Sequence, residues 1–167
     1  MKLTINELIE KLTPALEEVG IKLDAENRRI YKGEKSIAIF FYNTATRGAK
    51  VELVSPSNYN RKTLYKVESI VKESERLFEI KENIDKRNKE REEKLTIYRN
   101  KGKEFNLHPQ SIISKDQRFG MTVRIDLGDF DYVEISKLSG IQAQVSSLKK
   151  LTDVEELINF ILEDLKA

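Results

Sequence analysis

Apolar positions recur at helical spacing near both ends of the chain and at alternating spacing in the stretches between. Leu8, Ile9, Leu12, Leu16 and Val19 form an i, i+4, i+8 stripe within residues 4–19, which predicts an amphipathic helix. Thr4 with Glu7 three residues on reads as a capping box, and Gly20 stands where a glycine ends a helix. Pro14 lies inside the stripe, so a kink or a later start is an alternative. Short β-like pieces follow at 21–23, 29–31, 36–42 and 50–54, separated by turn-forming groups at 24–27, Gly33 and 43–48. Residues 57–101 contain neither glycine nor proline and read as helix-prone throughout. Strands return at 105–107, 111–114, 120–127 and 131–137. A closing helix is predicted over 152–165, with Thr152 and Glu155 as a second capping box.

The order helix, short strands, helix thus occurs twice. Ile37, Ile39 and Phe41 match Met121, Val123 and Ile125 at an offset of 84, and Val51 and Leu53 match Val133 and Ile135 at 82. A divergent internal duplication accounts for these offsets. The fold class expected is α+β: two divergent helix–short antiparallel sheet–helix units, 1–87 and 88–167, joined through a long helix or a helical hairpin. A continuous helix over 57–104 would extend roughly 70 Å, too long to lie inside one compact domain. Its middle, residues 85–94, holds nine charged side chains among ten and must face water. If the chain instead folds back near Asn88, Ile80 meets Leu95 and Leu77 meets Tyr98. Both forms remain open on sequence alone.

Composition narrows the chemistry. Of the 167 residues, 39% are hydrophobic and 35% charged, yet 30 basic against 28 acidic side chains leave a net charge of only +2. There is no cysteine and one histidine, His108, which removes thiol chemistry and multi-histidine metal sites. No phosphate-binding glycine loop or hydrolase signature is present. No catalytic residue, metal or cofactor is therefore expected, and the chain reads as a non-enzyme. It also lacks any apolar run near the ~18 residues of a membrane span and opens without a signal-peptide pattern, so a cytoplasmic protein with no membrane partner is expected. Abundant lysine (20) and isoleucine (17) with scarce alanine (7) are usual in low-GC bacteria and their phages.

The densest acidic cluster, Asp126, Asp129, Asp131 and Glu134, invites a cation-site reading. A three-residue loop Gly128-Asp129-Phe130 disperses it. That register pairs Ile125 with Val133 and Val123 with Ile135 on one face, and Arg124 with Glu134 and Asp126 with Tyr132 on the other. A two-residue loop would instead set Asp126 against Asp131 and mix apolar with polar on each face.

The unusual surface is in the first half. Met121, Val123 and Ile125 alternate with Thr122, Arg124 and Asp126, but Ile37, Ile39 and Phe41 alternate with Ala38, Phe40 and Tyr42. A sheet with one wet face does not ordinarily place two rings there. Residues 20–66 carry ten basic against four acidic side chains, a local +6, whereas 151–167 is −4. The partner-binding residues expected are Arg28, Arg29, Tyr31, Lys32, Phe40, Tyr42, Arg47, Lys50, Tyr59, Arg61 and Lys62, because tyrosine and arginine dominate interface energetics. The function expected is protein binding of inhibitor or adaptor type. Nucleic-acid binding by the same lysines, arginines and rings is the alternative, and self-assembly into a homo-oligomer alone is a third reading. The helix–strands–helix order, with Arg61, Lys62 and Lys66 leading into the second helix, resembles double-stranded-RNA-binding domains in topology alone.

Overall fold

The computed structural model describes residues 2–117 and 120–167, the side chains of 116 and 117 excepted. The chain is α+β and divides between Lys86 and Arg87 into two compact units.

The first unit opens with α1 (Ile5–Glu17). The Thr4 hydroxyl accepts the Glu7 amide at 3.2 Å, and the Thr4 amide donates to the Glu7 carboxylate at 2.7 Å, so the capping box forms. The helix neither starts late nor stops at Pro14, which it contains. The carbonyl that Pro14 leaves without an i+4 donor belongs to Glu10, an exposed residue on the solvent side of the helix. Gly20, at φ +75°, ends the turn, with the Ile21 amide donating back to the Leu16 carbonyl at 2.9 Å.

An antiparallel meander follows in the order β1 (Lys22–Asp24), β2 (Arg29–Lys32), β3 (Lys35–Thr44), β4 (Gly48–Val54) and β5 (Arg61–Leu64). β5 departs from the sequence reading, which placed 57–104 entirely in helix. High helix propensity at 61–64 loses to a ladder on β4 that pairs Val51 with Leu64 and Leu53 with Lys62. The core joins Leu8, Leu12 and Leu16 of α1 to Ile30, Ile37, Ile39, Val51 and Leu53 of the sheet and to Ile70, Leu77 and Phe78. Both helices of this unit therefore pack on one face of the sheet.

The last three belong to α2 (Val67–Gly102), a continuous helix of 36 residues and about 54 Å. The hairpin alternative is not adopted. Leu77 and Phe78 are buried in the first core, with Ile80 packed against it, whereas Leu95 and Tyr98 are buried in the second. Two separate cores give the apolar groups better homes than each other. Between them no residue from Lys81 to Lys94 is buried.

In the second unit, 103–105 form a 3-10 turn ended by Asn106 at φ +60°, so the strand expected at 105–107 does not form. A four-stranded meander follows: β6 (Ile112–Gln117), β7 (Gly120–Gly128), β8 (Asp131–Ser136) and β9 (Gly140–Gln144). The β7–β8 register is the one read from sequence, Ile125 opposite Val133 and Arg124 opposite Glu134. Its turn differs. Only Asp129 and Phe130 form it, both at positive φ, while an irregularity between Asp126 and Gly128 absorbs the extra residue and keeps the apolar faces aligned. β9 was not foreseen, because Gln142 and Gln144 on an exposed edge carry little apolar signal.

The closing helix is also two elements, α3 (Leu148–Asp153) and α4 (Glu155–Lys166), broken at Val154. Ser147, not Thr152, caps α3, and the Thr152 hydroxyl instead donates to the Leu148 carbonyl at 3.0 Å. Leu157, Ile158, Ile161 and Leu165 complete the second core with Ile112, Val123, Ile125, Val133 and Ile135.

Candidate functional site

Strand alternation sorts the first sheet into two faces. Ile30, Ile37, Ile39, Val51 and Leu53 face the helices, so the residues between them form the outer face. The register sets them in rows. Lys22 lies beside Tyr31 and Ser36, Asp24 beside Arg29 and Ala38, Phe40 beside Glu52 and Thr63, and Tyr42 beside Lys50.

The two rings meet cations. The Arg61 guanidinium lies 4.6 Å from the Phe40 ring centre, and the Lys50 ammonium 5.3 Å from that of Tyr42. Arg61 also reaches the Tyr42 hydroxyl at 3.4 Å. Glu52, one strand over, holds both cations, Lys50 at 3.6 Å and Arg61 at 3.5 Å. Each cation–ring contact at such an exposed site is worth about 0.5–1 kcal/mol, and each ion pair less than about 1. The arrangement orders the side chains without sealing the rings: Tyr42 remains 37% exposed and Phe40 half-buried.

Six of the expected partner-binding residues converge here: Arg29, Tyr31, Phe40, Tyr42, Lys50 and Arg61. The other five do not join that face. Lys62 stands opposite Leu53 on the inward register and pairs with Glu73 of α2 at 3.1 Å. Glu73 is buried, and its carboxyl is held below the usual range by its hydrogen bonds to Arg76 and then Lys62. Lys32 pairs with Lys35 at the β2–β3 turn. Arg47 lies in the β3–β4 turn, stacked 5.4 Å from the ring centre of Tyr65. Tyr59, 80% exposed, sits in the β4–β5 loop at φ +59°. Arg28 occupies the β1–β2 turn at φ +57°. Composition could not separate inward from outward lysines, since that depends on register. Nor could it show Glu52 bridging two cations, Lys50 on its own strand and Arg61 nine positions away on the next.

The second sheet offers a comparison. Its outer face repeats the device once: Arg124 lies 3.8 Å from the Tyr132 ring centre and 3.7 Å from Glu134. Among the described residues its strands place no second ring on that face.

Elsewhere Asp131, Asp126 and His108 hold local structure. Asp131 is buried and accepts from Lys150 at 2.7 Å and from the Ser146 hydroxyl and amide at 2.7 and 3.0 Å. The Lys150 bond, then those from Ser146, lowers its pKa to about 2. The Asp126 carboxylate accepts the Gly128 amide at 2.9 Å, and the His108 Nδ1 accepts the Gln110 amide at 3.1 Å. Among the described residues no three histidine, cysteine, aspartate or glutamate side chains are placed to hold a metal ion. No helix among them is long and apolar enough to cross a membrane.

No protein-family model, curated protein or solved structure matches the chain.

Proposed function

We propose that this chain is a non-enzymatic protein-binding module, of adaptor or inhibitor type, that docks the outer face of its first sheet against an acidic surface of another protein. The observation that carries the reading is the Phe40–Tyr42 pair, two outward rings on the sheet face that does not form the core, each with a cation over it. Burying such a ring is worth about 1.5–3 kcal/mol, and arginine- or tyrosine-rich centres dominate binding energies. The surplus of cations over carboxylates on the face (Lys22, Arg29, Lys50 and Arg61 against Asp24 and Glu52) favours an acidic partner. Nucleic acid is the weaker reading. The central cations already lie over the ring faces on which bases would stack.

The test places a photo-crosslinking phenylalanine analogue at Tyr42 and, as control, at Ile113 on the second sheet's outer face. A protein adduct at 42 but not at 113 is expected. The adducted protein, purified, should then bind the wild-type chain and lose that binding with Phe40→Ser/Tyr42→Ser. Nucleic-acid adducts alone, no adduct, or equal adducts at both positions would overturn the proposal.

A further inference from the structure

Resting on the reading that the first sheet docks a protein, we propose that the partner contributes an extended, acidic–apolar strand that pairs with the free edge of β3 at residues 40–44. β2 covers β3 only as far as the Arg29–Ala38 pair and one further bond, from the Ile39 amide to the Arg28 carbonyl at 3.1 Å. β3 then runs on to Thr44 with β4 along one side alone. Backbone groups in an antiparallel ladder alternate in direction. Since the Ile39 amide points towards β2, those of Phe41 and Asn43 point the same way, where β2 no longer reaches. Among the described residues no strand, turn or side chain bonds them.

A notch of about 290 Å³ lies beside them, lined by Ile5 and Ile9 of α1, Ala25 and Arg28 of the β1–β2 turn, and 40–42 of β3. One wall is apolar. Arg28 lines the other end, and no carboxylate among the described residues pairs with it. Inserted there, a strand would present alternate side chains to Ile5 and Ile9, and the intervening ones to the surface that holds Phe40 and Tyr42. An acidic residue near Arg28 supplies the missing countercharge.

Edge strands are ordinarily guarded by charge, proline or brevity. β1 spans three residues and carries Lys22 and Asp24, β5 carries Arg61 and Lys62, and β6 carries Lys115. Ile39 to Thr44 has no charge and no proline. β9 is likewise uncharged and has a notch of about 350 Å³ at Ile141, but it belongs to the other sheet, which lacks the Phe40–Tyr42 pair.

The probe is a displayed library of random twelve-residue peptides selected against the full chain, with affinities of enriched peptides read by fluorescence polarisation. Enrichment of sequences alternating apolar and acidic residues is expected. Asn43→Pro should weaken their binding about tenfold or more, since it deletes an outward donor the sheet does not use. Arg28→Asn, which tolerates the left-handed backbone, should weaken it several-fold, and serves as the second variant should Asn43→Pro melt early. No enrichment, or enriched peptides that bind Asn43→Pro and Arg28→Asn as well as wild type, would overturn strand addition. If Phe40→Ser/Tyr42→Ser alone abolishes binding, the edge proposal fails while the face reading stands.

Discussion

Phe40 and Tyr42 are where the functional reading begins, and their surroundings determine how they respond to mutation. Both belong to the sheet face that contributes nothing to the unit's core. Phe40→Ser/Tyr42→Ser should therefore cost only the cation–ring contacts and partial burial, about 1–3 kcal/mol, and thermal unfolding should remain cooperative. Asp131 is the opposite case, a buried carboxylate whose hydrogen bonds hold α3 and the segment before it to the start of β8. Its folded pKa of about 2 lies below the ordinary carboxylate value. The stability it provides is therefore complete above about pH 4 and is lost as pH falls through the window from about 4 to 2. Asp131→Asn should remove that part of the acid dependence, and denaturant titrations at pH 7 and pH 3 should show a smaller difference than in wild type.

At the scale of elements, the clearest sequence signals were those with a strong period or a cap. The Leu8–Leu12–Leu16 stripe with its Thr4–Glu7 box marked α1 to within two residues at each end, and the alternation of Val123 and Ile125 against Val133 and Ile135 fixed the β7–β8 register. The elements that escaped were edge strands. Arg61–Leu64 and Gly140–Gln144 bury almost nothing, so only their ladder partners define them. The Val154 break between α3 and α4 was equally invisible, because the apolar spacing runs across it. Within the candidate site, the two outward rings were legible from alternation, whereas Lys62 and Lys32 were not separable from Lys50 and Arg61 without register. The β3–β4 turn supplies a test at this scale. Gly48 has φ +83°, and a Cβ there would lie 2.9 Å from the Leu3 carbonyl oxygen, which accepts the Ala49 amide. Gly48→Ala should destabilise the protein by about 1–3 kcal/mol in urea unfolding, through backbone strain and loss of that anchor.

Across the whole molecule, each apolar cluster draws on residues of one unit only, although α2 contributes to both. Leu12→Ala, at about 2–5 kcal/mol, should raise amide exchange throughout the first unit more than in the second, and Ile135→Ala the reverse. Uniform acceleration in both would mean that the two cores open as one. Charge is divided in the same way, with +6 on 20–66 and −4 on 151–167, so the cationic sheet face and the acidic terminal helices belong to different units. The most direct test of the central claim is calorimetric affinity for the protein crosslinked at Tyr42, measured with wild type and with Phe40→Ser/Tyr42→Ser. The account predicts a loss of at least about 100-fold with the variant still cooperatively folded; an affinity within about threefold of wild type would contradict it.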